Sequence, residues 1–159
     1  GMIISSFESS LSALPILTMF IPMLMDTGGN SGSQSSVTVI RALSLDELHF
    51  KDIFTVIWKE VRAAALCAIA LAAVCFGKVM LVDRLLMGNT SVTVLVDLTV
   101  CLTLAVTVIV AKVVGCSLPL IAKRFGFDPA VMASPFITTI VDAMSLLLYF
   151  LFAKAILGV

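Results

Sequence analysis

Between Pro22 and Ser36 the chain reads Pro22-Met-Leu-Met-Asp26-Thr-Gly28-Gly29-Asn30-Ser-Gly32-Ser-Gln34-Ser35-Ser36. One carboxylate, two side-chain amides and several hydroxyls stand among glycines. An apolar run from Leu11 to Met25 leads into this segment, and the first basic residue, Arg41, comes only after a further apolar stretch. A polar, glycine-rich segment so placed lies inside a bilayer rather than at its edge. Lipid cannot satisfy its polar groups, so they must face other protein or a water-filled path. The segment therefore reads as the wall of an ion pathway. Its donors are hard oxygens, which suit Mg²⁺, Mn²⁺ or Ca²⁺ rather than soft metals. Mg²⁺ keeps several of its waters, so one or two carboxylates suffice to hold a hydrated ion, and conduction requires that the hold be weak.

The rest of the composition fits that setting. The chain has 159 residues, 60% hydrophobic and 13% charged, with a mean hydropathy of +1.17. Soluble domains run at ~45–50% apolar and ~25% charged. The apolar residues fall in several blocks, which predicts an all-α, polytopic transmembrane bundle forming a single domain over 1–159. Acidic and basic residues balance at ten each, so there is no nucleic-acid footprint. Cys67, Cys75, Cys101 and Cys116 lie in apolar surroundings with no CxxC spacing, and His49, the single histidine, sits in a polar connector. The cysteines read as small buried hydrophobes rather than metal or redox groups. No nucleophile–base pair stands out, and the chain does not read as an enzyme.

Four spans are expected, at about 7–43, 56–82, 90–122 and 129–157. The first would be ~55 Å long as one helix, against a hydrocarbon core of ~30 Å, and a local distortion is expected near 28–32. Pro15 and Pro22 favour bends in the same element. Residues 83–89 read as a short polar connector. Asp128 suits a helix N-cap with Pro129 at the first helical position. Trp58, Lys59 and Arg62 suit a membrane interface. Arg41, Lys51, Lys59, Arg62, Lys123 and Arg124 fall on one side of the bundle, and Lys78, Arg84 and Lys154 on the other. The positive-inside rule makes the first side cytoplasmic, which places the protein in the plasma (inner) membrane with its C-terminus outside.

Depth brings three ionisable groups together. Asp26 lies 15 residues before Arg41, Asp142 lies 14 after Asp128, and Lys112 lies 12 before Arg124. At ~1.5 Å per residue, each is about 18–23 Å from a cytoplasmic helix end. A charge at that depth costs at least ~2.5–3.5 kcal/mol, so the three are expected to face a common interior, with Lys112 as a charge partner of Asp26 or Asp142. Asp97, nearer the outer interface, reads as a solvated residue. Gly28 and Gly32 form a GxxxG spacing, which on its own marks close helix packing.

Three stretches resemble the transmembrane domain of the MgtE family of magnesium channels and transporters. They are Pro22-x-x-x-Asp26-x-Gly28-Gly29-Asn30-x-Gly32-x-Gln34-Ser35 with Ile40-Arg41-Ala42-Leu43, the Lys59-Glu60 pair, and Gly126-x-Asp128-Pro129-Ala130 followed by Ser134-Pro135 and Asp142. The resemblance implies a homodimer of five-helix subunits with a pore at the dimer interface. Asp142 and its two-fold mate would hold a hydrated Mg²⁺, Asn30 would line the same path, and Asp26, Gly29, Gln34, Ser134, Thr138 and Thr139 would line or support it. The first family helix would be represented at most by Ile3-Ile4, and no cytosolic regulatory domain is expected within these residues.

The expected function is divalent-cation (Mg²⁺) transport with Asp142 as the central site. A Na⁺- or H⁺-coupled exchanger and a non-transporting membrane assembly subunit are the alternatives. The expected partners are a second copy of the chain, the lipid bilayer and divalent cations, with Mn²⁺ or Ca²⁺ able to occupy the same site as Mg²⁺.

Overall fold

The architecture comes from a computed structural model, described here for residues 2–6, 15–88, 90–132 and 134–158. The described residues are overwhelmingly helical, with no strand among them. A short helix α1 (Met2–Ser6) and a 3₁₀ segment (Pro15–Phe20) precede four long elements. These are α2 (Ile21–Ser44), α3 (Ile53–Lys78), α4 (Val94–Arg124) and α5 (Ser134–Leu157).

Local chemistry sets the ends of these helices. Pro22 falls in the first turn of α2, where a missing N–H costs nothing because that donor has no intrahelical acceptor. Thr93 caps α4 by accepting a hydrogen bond from the Val96 amide at 3.2 Å, as an N-cap hydroxyl should. Lys123 and Arg124 close α4, where cations complement the negative end of the helix dipole. Lys123 Nζ also reaches across to donate to the Leu43 carbonyl at 3.1 Å, and the Arg124 guanidinium lies 4.2 Å from the centre of the Phe50 ring. The end of the bundle holding the C-termini of α2 and α4 is thus stitched by two basic side chains.

α4 is the central post, packed against α2, α3 and α5. In its most apolar stretch 56% of residues are buried, against 17% for α3 and 28% for α5. Leu66, Ile69, Val74 and Leu81 are exposed along α3 and its continuation, a surface suited to lipid. One core cluster joins Leu17, Phe20 and Leu24 to Val96, Val100, Leu104, Tyr149 and Phe150. Within it the Tyr149 hydroxyl donates to the Leu17 carbonyl at 3.0 Å and ties α5 to the 3₁₀ segment.

Several expectations need correction. α2 runs as unbroken α-helix through Gly28, Gly29 and Gly32, so no distortion occurs near 28–32. Gly28 and Gly32 serve interhelical contact, as their GxxxG spacing predicts. Beyond Lys78 the helix continues as a π-helical segment, Val79–Leu86, which takes in the first four residues of the connector expected at 83–89. Asp83 is buried there and pairs with Lys78 at 2.7 Å. The wider i→i+5 winding of a π turn brings such five-residue neighbours onto one face. At the last connector Asp128 accepts from the Ala130 amide at 2.9 Å, but the turn it opens, Pro129–Met132, is 3₁₀ and α5 starts afterwards.

Among the described residues three stretches are long and apolar enough to cross a membrane, Phe50–Leu86, Val94–Arg124 and Pro135–Leu157. The polar residues of α2 keep it out of that set, and the expected start of the first span, residues 7–14, lies outside the described residues.

Candidate functional site

The two faces of α2 have opposite roles. Gly28, Gly32, Ser35 and Ser36 are buried against the bundle. A Cβ at Gly28 would lie 2.7 Å from Thr107 Cγ2 and 2.8 Å from Ser145 Oγ, and one at Gly32 would lie 3.1 Å from the Ala111 carbonyl. On α4, a Cβ at Gly115 would collide with the Gly32 carbonyl oxygen. Backbone meets backbone at this crossing, the close approach that small residues permit between membrane helices. On the other face Asp26, Asn30 and Gln34 are all exposed. Their spacing of four residues lines them along one side of the helix over ~12 Å. Asn30 and Gln34 share an open groove with Ser33, Val37 and Thr38.

Asp142 joins this polar face. A Cβ at Gly29 would sit 3.4 Å from Asp142 Oδ1 and 3.2 Å from Thr138 Cγ2, so the carboxylate rests against the bare backbone of α2, beside Asn30. Asp142 is half-buried, and the charge of Asp26 reaches it. The Thr138 and Thr139 hydroxyls both donate to the Pro135 carbonyl, at 3.1 and 2.8 Å, which leaves their oxygen lone pairs free to accept. Of the residues expected at the site, Asp26, Gly29, Asn30, Thr138 and Asp142 are brought together, with Gln34 one turn further on. Ser134 opens α5, and its side chain lies outside the described residues.

Lys112 does not belong to this group. Its Nζ is 3.3 Å from Glu60 Oε2 on α3 and 3.3 Å from Ser35 Oγ on α2, and Ser35 Oγ donates to the same Glu60 oxygen at 2.6 Å. Within the protomer Lys112 therefore pairs with Glu60 and Ser35 rather than with Asp26 or Asp142. Depth along the helix was the basis for expecting the aspartates, and depth says nothing about which side of a helix a group faces. Lys112 projects towards α3 and the buried face of α2, whereas Asp142 meets the glycine at 29. The cation is neutralised within the protomer, away from the exposed polar face. Asp97 is a second correction. It is fully buried rather than solvated.

The family model for MgtE, described as a divalent cation transporter, matches residues 21–152. The chain belongs to the MgtE family. It is 37% identical over 155 residues to the magnesium transporter MgtE of Bacillus subtilis, covering 98% of this chain and 33% of that protein. It is 34% identical over 161 residues to the magnesium transporter MgtE of Thermus thermophilus, covering 99% of this chain and 34% of the relative. A third MgtE, from Enterococcus faecalis, is 31% identical over 148 residues, covering 93% of this chain and 31% of the relative. The chain spans about a third of the length of the curated relatives it matches. MgtE membership together with the apolar helices makes this an integral membrane protein.

Sequence reasoning missed Glu60 and Ser35 as partners of Lys112. Glu60 lies beside Lys59 in an amphipathic stretch and passes for an interface charge. The available signal was pairwise: a lone lysine deep in one apolar helix needs a carboxylate on another, and Glu60 was a candidate alongside the two aspartates.

Proposed function

We propose that the protein moves divalent cations, Mg²⁺ foremost, across the membrane along the face of α2 that carries Asp26, Asn30 and Gln34. The observation that carries this is the exposure of that polar row on the outside of a protomer whose other long helices are apolar. Left towards lipid, a carboxylate and two amides would lose their hydration without replacement. A second copy related by a two-fold axis removes the difficulty, because an isologous interface places the row opposite itself. α2 then serves as a further membrane-crossing element, with its polar residues facing water rather than lipid.

Within one protomer Asp142 and Asp26 supply two carboxylates. Doubled across the axis, the two Asp142 groups flank a hydrated ion, with Asn30 amide oxygens and threonine hydroxyls receiving its waters. Outer-sphere contacts suit an ion that gives up water reluctantly, and they let it leave. Asp142 is held by packing against Gly29 rather than by a strong partner of its own, so its charge remains available to the ion. Satisfaction of Lys112 by Glu60 and Ser35 keeps a competing cation off the path.

The test is Mg²⁺ uptake into proteoliposomes containing the chain. Asp142→Asn is expected to lower the initial rate at least tenfold while the protein still elutes as the same species. Unchanged flux in that variant overturns the site assignment. An intact, correctly inserted wild type that passes no divalent cation overturns the transport function and favours a purely structural membrane subunit.

A further inference from the structure

The described residues contain one grouping in which three His, Cys, Asp or Glu side chains could share an ion, and it is not on the polar face of α2. Cys75 on α3 and Asp97 and Cys101 on α4 bring two sulfurs and a carboxylate oxygen within 4.8 Å of one another. Asp97 is fully buried, and the two cysteines are 6% and 7% exposed. Cys101 Sγ lies 3.4 Å from Asp97 Oδ1 and 3.5 Å from the Ala72 carbonyl. The other carboxylate oxygen, Asp97 Oδ2, is buried with no hydrogen-bond partner. Val79, Val96, Val100 and Leu104 belong to the same buried cluster.

The orphaned oxygen is the informative feature. A buried polar atom without a partner costs about 1–3 kcal/mol, and more when it is charged. Protonating Asp97 removes the charge but still leaves Oδ2 buried without a partner. A metal ion does remove it. We propose that Cys75, Asp97 and Cys101 form a thiolate–carboxylate site for a borderline-soft divalent cation, for which Zn²⁺ is the best match.

The donor set is two sulfurs and one carboxylate oxygen, which favours zinc over magnesium by ligand softness. Bond lengths of ~2.3 Å to sulfur and ~2.0–2.2 Å to oxygen put neighbouring ligand atoms of a tetrahedral site ~3.5–3.8 Å apart. The 3.4 Å separation of Cys101 Sγ and Asp97 Oδ1 already holds the carboxylate in that range of one sulfur, with Oδ2 left to meet the ion. Three protein ligands leave a fourth position for water or for the Ala72 carbonyl beside Cys101. Two thiolates and a carboxylate outweigh a divalent ion by one negative charge. Lys78 and the buried Asp83 it pairs with at the end of α3 both act on Cys75, with opposite sign, so that ion pair adds no net charge to the site. Such a site would pin the α3–α4 contact one turn inside the start of α4, and it is separate in ligands and location from the Asp142 site.

Metal content and optical spectra of the purified full chain decide the matter. Protein produced with zinc in the medium is expected to retain roughly one Zn²⁺ per chain through gel filtration, with the tetrahedral site closed enough to resist loss. Replacing it with Co²⁺ should give a near-ultraviolet thiolate-to-cobalt charge-transfer band and visible bands of tetrahedral intensity. Both should disappear in Cys75→Ser/Cys101→Ser and survive in Cys67→Ser/Cys116→Ser. Should the first double variant fail to fold, thiol labelling of the wild type replaces it. Chelation should expose Cys75 and Cys101, and added Zn²⁺ should protect them while Mg²⁺ does not.

Three results would overturn the proposal. One is metal content at background with no cobalt band. Another is a band that persists without the two cysteines. The third is a Cys75–Cys101 disulfide in freshly purified protein, which would make the pair redox-active instead. None of these outcomes bears on Mg²⁺ flux through Asp142, so the two proposals fail separately.

Discussion

The contact between Lys112, Glu60 and Ser35 permits a quantitative test of which charges serve structure and which serve ions. Lys112 Nζ and Glu60 Oε2 are 3.3 Å apart, with side chains only 14% and 18% exposed. At an effective dielectric near 20 the gross attraction at that distance is about 5 kcal/mol. Desolvation of both groups offsets most of it. A coupling energy of about 1–3 kcal/mol remains, within the range seen for contacting charged residues. The single variants Lys112→Met and Glu60→Gln should each lower the thermal midpoint of the detergent-solubilised protein, because each strands a partner. The double variant should recover much of the loss, since replacing both members of a buried pair is often close to neutral. The assay is a double-mutant cycle on thermal unfolding followed by size exclusion, with Mg²⁺ flux measured in parallel. Additive single effects would refute the pairing. A change in flux unrelated to stability would return Lys112 to the ion path.

Three further outcomes follow from the packing. Gly115→Ala places a methyl group onto the Gly32 backbone, which cannot shift as a flexible side chain could, so a loss of about 1–3 kcal/mol or misassembly is expected; a midpoint within error of wild type would show that the α2–α4 crossing is looser than this. Gly29→Ala puts its new atom at 3.2–3.4 Å from Thr138 and Asp142, tolerable with a small adjustment. Gly29→Val should instead displace the Asp142 carboxylate and cut Mg²⁺ flux roughly as Asp142→Asn does, a scale of more than ~1.4 kcal/mol in barrier for a tenfold loss. Tyr149→Phe removes the donor to the buried Leu17 carbonyl and should cost about 1–2 kcal/mol in thermal unfolding, with flux per folded molecule unchanged.

How much of this was legible in the sequence depends on whether a feature is carried by one helix or by two. The polar run from Asp26 to Ser36, the apolar stretches of α3, α4 and α5, and the basic end of α4 are properties of single segments. Each was readable from spacing and composition. The GxxxG spacing of Gly28 and Gly32 marks close packing, whereas the local distortion expected near 28–32 does not occur. In isolation a glycine pair does weaken a helix, but the crossing with Gly115 and the seat for Asp142 on Gly29 supply tertiary contacts that outweigh propensity. The π continuation beyond Lys78 was not readable, because it depends on burying Asp83 and pairing it five residues back.

The charges show the limit most clearly. Counting residues from the helix ends measures depth, and on that measure Asp26, Lys112 and Asp142 looked equivalent. Azimuth separates them, and azimuth is fixed by partners on other helices: Gly29 for Asp142, and Ser35 with Glu60 for Lys112. The same limit hid Cys75, Asp97 and Cys101. The i,i+4 spacing of Asp97 and Cys101 puts two ligand atoms on one face of α4, but the third comes from α3. A ligand set split between helices leaves no motif along the chain, and a carboxylate with an orphaned oxygen looks like any other aspartate until its surroundings are known. In this bundle the buried charges are therefore sorted by what faces them. One that is neutralised inside the protomer holds helices together, and two carboxylates with no ion pair among the described residues, Asp142 and Asp97, are the ones at which ion binding is proposed.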